Sequence, residues 1–321
     1  MSTQLLPLNF TDFKMMHPPL VSVLMTAYNR EKYIGEAIKS VLSSSYANFE
    51  LIIVDDCSAD ATVTIAKQFE KMDERVKLYV NDKNLGDYPN RNKAASYAQG
   101  KYLKYLDSDD MLYPDGLRYC VECMEANSRA DWAIFYPREI FAEVLLTSRE
   151  AIQWHFFSDP FLKAGPGGTI INKDFFFNLG MYPVSYGPAS DMYFNLHAAS
   201  KGNVLVLKDN FLYYRRHDEQ EQTNQFSYLY NYCIYLKDAL ENLQLPLTDK
   251  QINWLQKKRK RRFAVNSIKY FVKTRNLTKT KEAIVKAKFS FKDFFTGIFH
   301  FETHPGKYIF SDVNALTTVE K

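Results

Sequence analysis

The sequence predicts an α/β fold, in which a Rossmann-like, mostly parallel twisted sheet flanked by helices precedes a helical C-terminal extension. Between residues 20 and 110, short apolar runs alternate with stretches of helical periodicity, which is typical of parallel βαβ units. A polar loop follows each apolar run. After about residue 220 the patterns are helical and strongly basic. The 321 residues, of which 46% are hydrophobic, suffice for one large domain and a smaller appendage.

The clearest elements lie in the first third of the chain. Val21–Met25 is an almost continuous apolar run, as in strands that are buried on both faces. Apolar residues at helical spacing follow from Glu31. Phe49–Val54 and Val76–Val80 are the next predicted strands, and Arg91–Gln99 is a short Ala-rich helix that follows a turn-rich loop. Right-handed crossovers between these strands would produce an open twisted sheet.

The patterns become shorter towards residue 220, and residues 137–165 are rich in aromatic side chains without a clear period. Further strands are predicted at residues 101–106, 131–136, 169–171, 203–207 and 211–214. Further helices are predicted at residues 115–127, 173–179 and 190–199. Because ligands bind outside the carboxyl ends of parallel strands, we expect the loops TAYNR, DDCSAD, NDKNLGD and DSDD to meet at one edge of the sheet.

The stretch KYLKYLDSDD delivers three carboxylates, Asp107, Asp109 and Asp110, to the end of one predicted strand. Like charges at this spacing raise one another's pKa unless a cation lies between them. A divalent metal ion, Mn²⁺ or Mg²⁺, is the economical explanation, because hard cations prefer carboxylate oxygens. The alternative is a plain strand end followed by a helix that one of these side chains caps.

In order and spacing, these motifs make the chain similar to the family-2 inverting glycosyltransferases with the GT-A fold, of the bacterial surface-polysaccharide type. The resemblance covers about residues 20–220. The segments that carry it are VSVLMTAYNR, FELIIVDDCSAD, NDKNLGDYPNRNKAASYAQGKYLKYLDSDD and GPASDMYFNLHAASKG with the following YYRRH. The family transfers a sugar from a nucleotide-diphosphate donor, most often a UDP-sugar, to an acceptor hydroxyl with inversion.

The sequence patterns predict an irregular segment at residues 1–19, an α/β domain at residues 20–220 and a basic, aromatic-rich helical region at residues 221–321. The resemblance implies that the α/β domain consists of a nucleotide-binding half at about residues 20–110 and an acceptor half at about residues 111–220. It implies nucleotide contacts from Thr26, Ala27, Tyr28, Asn29, Asp55, Asp56, Asn84, Arg91, Asp107 and Ser108. Tyr28 could stack on a base, and one carboxylate of Asp55 and Asp56 could accept the uracil N3–H while the other holds the loop. Arg91 could reach the base or a phosphate.

The metal ligands that the resemblance implies are Asp109 and His217. Asp110, Arg215 and Arg216 would support the metal or the phosphates, since paired arginines can bind phosphate oxygens bidentately. Without the match of the YYRRH segment, His217 would be interpreted as a structural residue.

Asp191 matches the position of the family's general base, although Ser190 stands where the family usually has Glu. A helix N-terminus stabilises a carboxylate as the anion, so we expect a lowered basicity for Asp191. Its alternative role is that of a helix N-cap alone.

Two absences bear on the mode of action. The Q-x-x-R-W signature of processive relatives and any run of eighteen apolar residues are missing, which predicts a single-addition enzyme without membrane spans. No signal-peptide pattern is visible, and four cysteines without a second C-x-x-C pair fit a reducing compartment. We therefore expect a cytoplasmic protein that lies at most peripherally on the inner face of the membrane.

The C-terminal arm is strongly basic. Residues 251–292 contain ten Lys and four Arg against one Glu, a local charge of +13 in a chain whose total is +4. The KKRKRR run and the phenylalanines at 289–301 fit an anionic membrane surface, which would suit a saccharide acceptor linked to a lipid. Alternatively, the phenylalanines dock on the catalytic domain beside a solvated helix face. No nucleic-acid-binding pattern accompanies the charge.

Two rival functions remain. A nucleotidyltransferase would need a Gly-rich signature with Arg and Lys after the first strand, which TAYNREKY lacks. A catalytically inactive sugar-nucleotide-binding or scaffold protein would not require the intact Asp55, Asp107, Asp109 and Asp191.

Overall fold

The computed structural model, which describes residues 17–138, 140–217 and 225–299, confirms the predicted α/β architecture. Its strands are β1 Val21–Ala27, β2 Phe49–Asp55, β3 Val76–Val80, β4 Tyr102–Tyr105, β5 Met111–Leu112, β6 Trp132–Phe135, β7 Val144–Leu146, β8 Thr169–Asn172, β9 Val204–Leu207 and β10 Leu212–Tyr213. Its helices are α1 Ile34–Leu42, α2 Thr62–Met72, α3 Asp87–Ser96, α4 Gly116–Ala126, α5 Ser148–Phe157, α6 Lys173–Asn178, α7 Ser190–Lys201, α8 Gln225–Asn242, α9 Asp249–Thr274, α10 Leu277–Lys286 and α11 Phe291–Phe299. The predicted boundary near residue 220, most of segment 1–19 and Phe301 lie outside the described residues.

Eight strands form one mixed sheet in the order β3-β2-β1-β4-β8-β6-β9-β7. The first four strands of the chain are parallel neighbours, and β1 aligns with β2 from Val21 opposite Phe49 to Ala27 opposite Asp55. β8 is antiparallel to both β4 and β6, and β7 is antiparallel to β9. The carboxyl ends of β1 to β4 therefore lie at one edge, as the sequence predicts.

Alternate residues of the central strands enter two separate cores, one on each face of the sheet. Leu24 and Ile52 pack in the cluster that contains α3, α5, α7 and α8, whereas Val23 and Leu51 pack with α1 and α4. All four side chains are at most 1% exposed. Burial on both faces is the physical reason why these strands appear in the sequence as apolar runs rather than as alternating patterns.

The structure differs from the predictions in two segments. α3 begins at Asp87, four residues before the predicted Arg91, so that the last four of the ten residues in the predicted NDKNLGDYPN loop are helical. Gly86, with φ of 91°, makes the sharp entry into this helix. In the stretch 137–165, where the sequence has no clear period, the structure contains β7 and α5, the latter fixed by a capping box between Thr147 and Glu150.

Lys104 of β4 is fully buried, although its sequence context predicts an ordinary strand. Its ammonium group donates to the carbonyl oxygens of Tyr105 at 2.8 Å and Gly167 at 2.5 Å, and it lies 4.7 Å from the ring centre of Phe211. Burial lowers the pKa of Lys104 to about 8. Lys104 thereby fastens the loop at residues 165–168 to the centre of the sheet.

The helices after residue 224 have a small core of their own, in which Phe289 packs on Phe263, with Phe294 and Ile298 at its edge. α11 approaches α9 closely, since a Cβ on Gly297 would lie 2.7 Å from the Lys260 carbonyl oxygen. Within the described residues, the helices lack an apolar stretch of the length required to span a bilayer.

The KKRKRR run is not uniformly solvated, which bears on the alternative of a solvated helix face. Arg259 is 6% exposed, and its guanidinium donates to the Cys233 sulfur at 2.9 Å. Lys260 pairs with Asp293 of α11 at 2.7 Å. The helical period turns part of the run towards the core, a fact that a residue count alone does not reveal.

Gly116→Ala is expected to lower the free energy of unfolding by about 1–3 kcal/mol, because a Cβ here would lie 2.3 Å from the Phe211 carbonyl oxygen. Gly35→Ala is the matched helical control. Its Cβ would meet Ile65 at 3.6 Å, so that the better helix propensity of Ala should raise stability by about 1 kcal/mol. Urea unfolding of both variants measures the difference, and equal midpoints would contradict the tight packing of α4 against Phe211.

Candidate active site

The loop after β1 forms one wall of an open cleft of about 490 Å³, lined by Tyr28–Tyr33 and Asp60. Asn29 has φ of 53°, its backbone N–H donates to the Ser58 hydroxyl at 2.8 Å, and its side-chain oxygen accepts from the Ala59 N–H. The Tyr28 side chain is 47% exposed. The loop is thus held rigidly from the neighbouring strand while one aromatic face remains accessible.

Asp55 and Asp56, at the end of β2, are both buried and both hold loops. Asp55 accepts from the Ser58 backbone N–H at 2.8 Å and from the Ser58 hydroxyl at 2.5 Å. Asp56 accepts from the Asn81 side chain at 2.8 Å and from the backbone N–H groups of residues 85 and 86. Each carboxylate has further lone pairs, so a contact to the base stays a prediction.

Asn81 and Asn90 are functional candidates that the sequence interpretation missed. Both are buried, the amide of Asn81 donates to Asn90 at 2.9 Å, and Asn90 donates to the Val54 carbonyl. They shape the loop after β3. Their signal in the sequence was weak, because Asn is common in any turn.

The three carboxylates after β4 come together as predicted. One oxygen from each of Asp107, Asp109 and Asp110 lies within 4.8 Å of the others. Asp110 is 3% exposed, and burial together with the charge of Asp107 raises the pKa of Asp110 to about 7. The site therefore concentrates negative charge that favours a cation.

Asp109 is approached by two cationic or basic side chains. The same carboxylate oxygen lies 3.1 Å from Arg30 Nε and 3.0 Å from His217 Nε2. The His217 ring stacks on Tyr33 at 4.6 Å between ring centres. The structure thus brings the two predicted metal ligands together. It also places Arg30 at the site, a residue that the sequence interpretation missed although it lies in the TAYNR motif.

The arginines before His217 differ in their surroundings. Arg215 donates from its backbone to Asp110 at 3.0 Å and from Nε to the Asp109 carbonyl at 3.0 Å, and it pairs with Glu36 at 2.5 Å. Arg216 is exposed. Arg215 therefore positions the carboxylate loop, and a direct phosphate contact by either arginine stays a prediction.

The residues present fit a divalent cation. Three carboxylates converge, burial and the like charge of its neighbours raise the pKa of Asp110, and His217 Nε2 faces the Asp109 carboxylate at 3.0 Å. Carboxylate oxygens and an imidazole nitrogen suit Mn²⁺ or Mg²⁺. Asp109 and His217 are the ligands best placed to share one ion, since they already meet at 3.0 Å.

Arg91 of α3 links the carboxylate cluster to the rest of the site. Its guanidinium lies 2.7 Å from Asp87 and 2.7 Å from Asp107, and its side chain is 9% exposed. Arg91 thus neutralises Asp107 in this structure, and its predicted contact with a base or phosphate stays a prediction. Asp87 was missed, although its spacing of four residues from Arg91 is that of a helical ion pair.

Asp191 lies in the first turn of α7, as predicted, but its predicted low basicity is wrong. The carboxylate is 8% exposed and accepts from the Met192 N–H at 2.7 Å. Burial raises the pKa of Asp191 to about 7, and the hydrogen bond from Met192 and the charge of Arg91 only partly oppose this. A carboxylate with this pKa is suited to accept a proton near neutral pH.

The remaining predicted nucleotide ligands lie along the same edge. Thr26 and Ala27 end β1, Ser108 is buried within the carboxylate loop, and Asn84 is exposed in the loop before α3.

Known proteins match this chain in sequence. Residues 22–176 match the family described as Glycosyl transferase family 2. The putative teichuronic acid biosynthesis glycosyltransferase TuaG of Bacillus subtilis is 46% identical over 112 residues, 35% of this chain and 44% of TuaG. The putative glycosyltransferase EpsH of the same organism is 30% identical over 237 residues, 72% of this chain and 66% of EpsH.

A third relative has a more specific name. WfgD of Escherichia coli, a UDP-Glc:alpha-D-GlcNAc-diphosphoundecaprenol beta-1,3-glucosyltransferase, is 40% identical over 109 residues, 34% of this chain and 42% of WfgD. The matched segments thus span 42% to 66% of the lengths of these three relatives.

Solved structures share the fold. TarS of S. aureus in complex with UDP-GlcNAc gives a TM-score of 0.65 at 20% identity, over 87% of this chain and 81% of that one. The mannosyltransferase PcManGT from Pyrobaculum calidifontis in complex with GDP-Man and Mn²⁺ gives 0.59 at 16% identity, over 85% and 76%. The fold is thus GT-A-like, and by its sequence matches the chain belongs to glycosyl transferase family 2.

Proposed function

We propose that this protein is an inverting glycosyltransferase that moves one sugar per encounter from a UDP-sugar to an acceptor hydroxyl, in the synthesis of a bacterial surface polysaccharide. The observation that carries the proposal is the convergence of Asp109, His217 and the Asp107 loop at the edge where β1 and β2 also end. A ladder of products from a single acceptor would contradict single addition.

The donor assignment rests on the cleft beside Tyr28. Its volume of about 490 Å³ lies in the range of small-ligand sites, and an exposed aromatic ring can stack on a base. TarS was solved with UDP and with UDP-GlcNAc, and WfgD is named for UDP-Glc. These names favour uridine over other bases for the present chain.

Asp109 and His217 would hold a divalent cation, with Asp107 and Asp110 beside it. When bound, such an ion supplies Lewis-acid assistance to the departure of a nucleoside diphosphate. Mn²⁺ accompanies the nucleotide sugar in PcManGT. Arg30 lies on the same oxygen of Asp109 and would contribute further positive charge to the phosphates.

Asp191 is the proposed general base. The acceptor oxygen attacks the anomeric carbon from the face opposite the diphosphate, and the bond from that carbon to the diphosphate oxygen breaks with its electron pair on UDP. Asp191 takes the hydroxyl proton as the new glycosidic bond forms. Tyr88, a hydrogen-bond partner of this carboxylate, would keep it oriented.

An inactive sugar-nucleotide-binding protein of the same fold is the alternative. It would retain the donor cleft but would have no need for a buried carboxylate whose pKa is raised to about 7. The environment of Asp191 therefore favours the enzyme.

Calorimetric titration of UDP, GDP, dTDP and CMP, each with and without Mn²⁺, tests the donor site. We expect UDP to bind in a metal-dependent manner and Asp109→Ala to abolish this dependence, because the carboxylate that bridges towards His217 is removed. Asp115→Ala, in an exposed residue just before α4, is the control and should bind as the wild type does. Absence of nucleotide binding under every condition would overturn the donor assignment.

The pH profile of sugar transfer tests Asp191. Because the base must be ionised, kcat/KM should rise with pH through about 7, the value to which burial raises the pKa of this carboxyl. Asp191→Asn should lower kcat by roughly 10²–10⁴-fold while UDP binding is retained. Asp174→Asn, in the first turn of α6 and exposed, is the matched control. An unchanged rate in Asp191→Asn would exclude the proposed base.

We further propose that the arm at residues 257–301 rests on an anionic membrane at the inner, cytoplasmic face. Phe291, Phe295 and Phe299 recur at four-residue spacing on α11 and are 87%, 59% and 63% exposed. Exposed aromatic rings beside a basic helix favour adsorption to anionic lipid. A lipid-linked acceptor, like the one named for WfgD, would then be presented at the same surface.

Sedimentation with vesicles of phosphatidylglycerol and phosphatidylcholine tests this surface. Replacing Phe291, Phe295 and Phe299 by Ser should weaken vesicle binding about tenfold or more, because three exposed rings lose their contact with lipid. The control carries Ser at Phe141 and Phe177, which are exposed on the catalytic domain. Equal binding by both variants would refute the role of α11.

A further inference from the structure

Gly165 lies in the turn between α5 and β8, directly before the 3₁₀ turn Pro166–Gly168. It is exposed, whereas the proposed base Asp191 is 8% exposed. A Cβ placed on Gly165 would lie 3.7 Å from Asp191 Oδ2. Among the described residues, apart from its neighbours in the chain, that oxygen is the only atom other than hydrogen within 4 Å of this Cβ. The missing side chain thus leaves space beside the carboxylate at an exposed point of the turn.

The backbone at Gly165 does not require glycine. Its φ of −66° and ψ of 174° lie in the polyproline II region, which every L-residue can adopt and which a residue before proline prefers. Gly86 and Gly187, in contrast, have φ of 91° and 50°, in the left-handed region that favours glycine. Because glycine also loses more conformational entropy on folding than other residues do, it offers no conformational advantage at Gly165.

Close packing does not require glycine at this position either. A Cβ on Gly100 would lie 2.6 Å from the backbone nitrogen of Ser22, and a contact this short leaves no room for a side chain. At Gly165 the 3.7 Å contact is an ordinary van der Waals distance. The fold therefore tolerates a side chain at residue 165, and what glycine provides there is space beside Asp191.

Hydrogen bonds fix the turn on either side of this glycine. The Lys104 ammonium group of β4 donates to the Gly167 carbonyl at 2.5 Å. The Asn195 side-chain amide donates to the Ala164 carbonyl at 2.9 Å, and Asn195 lies one helical turn after Asp191 on α7. The turn and the base are thus held to one another. A side chain at residue 165 would therefore narrow the space rather than push the turn away.

The geometry of proton transfer gives this space a role. Asp191 Oδ1 accepts from the Met192 N–H at 2.7 Å, and Oδ2 is the oxygen that faces Gly165. A hydroxyl that passes its proton to a carboxylate lies about 2.6–3.2 Å from the accepting oxygen. The carbon that bears the hydroxyl then lies one bond further away, in the layer around Oδ2 that a Cβ at 3.7 Å would occupy. A water molecule carries no such carbon.

We propose that Gly165 is a specificity-determining residue whose missing side chain keeps the approach to Asp191 wide enough for a saccharide hydroxyl. This inference rests on the proposed function, because it takes Asp191 as the base. A side chain here would hinder a saccharide, whose hydroxyl is attached to a ring, more than it would hinder water. The residue would thereby set the balance between sugar transfer and hydrolysis of the donor.

Hydrolysis follows the same course with water as the nucleophile. The water oxygen forms a bond to the anomeric carbon, the bond from that carbon to the diphosphate oxygen breaks with its electron pair on UDP, and Asp191 takes a proton from the water. The ratio of transfer to hydrolysis therefore compares a large with a small nucleophile at the same base. Changes in donor binding affect both reactions and cancel in this ratio.

The test compares Gly165→Ala and the bulkier Gly165→Val with Gly167→Ala. Gly167 lies in the same turn, and its Cβ would lie 3.7 Å from a Leu212 methyl carbon rather than from the base. UDP-glucose and UDP-N-acetylglucosamine serve as donors with Mn²⁺, and the octyl glycosides of glucose, galactose and N-acetylglucosamine serve as acceptors. We expect the ratio of transfer to hydrolysis to fall about tenfold or more in Gly165→Ala and further in Gly165→Val, chiefly through a raised KM for the acceptor. Gly167→Ala should behave as the wild type does.

A second measurement needs no substrate. In protein with ¹³C-labelled aspartate, the carboxyl resonance that Asp191→Asn removes reports the titration of Asp191. A methyl group beside Oδ2 removes water from the carboxylate, so the pKa of Asp191 should be higher in Gly165→Ala than in Gly167→Ala. Both variants retain the ionisable groups that interact with Asp191 from α3, the loop before α7 and α8, namely Asp87, Tyr88, Arg91, Tyr182, Tyr232 and Tyr235. Gly165→Ala should unfold at a urea concentration no lower than the wild type does, since the backbone there suits alanine.

A lower ratio in both Gly165 variants together with a raised pKa of Asp191 supports the inference. An equal ratio in Gly165→Ala and Gly167→Ala overturns it, and so does an unchanged titration of Asp191. If the wild type glycosylates none of the acceptors, the titration alone decides. UDP binding is measured on the same samples. Retained UDP binding and a loss of turnover in Asp191→Asn, without an effect of Gly165→Ala, refute the inference alone, whereas a wild type that does not bind UDP refutes the proposed function on which the inference depends.

Discussion

Compensation of negative charge at the carboxyl edge of the sheet is the constraint on which the site depends. β4 delivers Asp107, Asp109 and Asp110 to one point, and each carboxylate is balanced by a group from elsewhere in the chain. Arg91 of α3 meets Asp107, whereas Arg30 after β1 meets Asp109. The nucleotide-binding elements are thus held together by charge as well as by packing.

The same balance makes the site responsive to ligands. Arg30 and His217 share one oxygen of Asp109, so that a divalent cation and a diphosphate could redistribute these contacts without movement of the sheet. Arg215 holds the loop from behind, through the Asp109 carbonyl and Asp110. Rigid support beneath exchangeable contacts is a general requirement for binding a charged leaving group.

Asp191 illustrates how two local effects compete. A helix N-terminus stabilises a negative charge by up to about 1 kcal/mol at exposed positions, which favours the ionised form of the carboxylate. The rise of its pKa from 3.8 to about 7 corresponds to about 4 kcal/mol in the opposite direction. Burial therefore outweighs the helix N-terminus, so the Asp191 carboxylate in the first turn of α7 is more basic than an exposed one; the N-cap of this helix is Ala189.

The C-terminal helices divide one basic segment among three environments. Arg259 faces the core, Lys260 pairs with Asp293 of α11, and Lys258 and Arg262 are exposed. Phe289 stabilises the small helical core, while Phe291 and its neighbours one and two turns later remain exposed. The basic run of the linear chain is thus divided among packing, ion pairing and exposed surface.

The sequence by itself determined the βαβ order, the strand ends and the identity of the carboxylate cluster. Apolar runs such as Val21–Met25 report burial on both faces, and polar residues after parallel strands must meet at one edge, so that local patterns suffice. The sequence patterns did not predict the start of α3 at Asp87, because Gly86 before the helix and Pro89 in its first turn are residue types that are common in loops. In the structure Gly86 has φ of 91°.

Only the tertiary structure decided which groups meet across long separations in the chain. The contact of Arg30 with Asp109, the burial that raises the pKa of Asp191 and the hydrogen bond from Gln251 of α9 to Gln153 of α5 all depend on segments that no periodicity connects. Charge balance and desolvation depend on distances through space. A linear pattern records the residue types but not those distances, which is why the chemistry of the acceptor side emerged only from the fold.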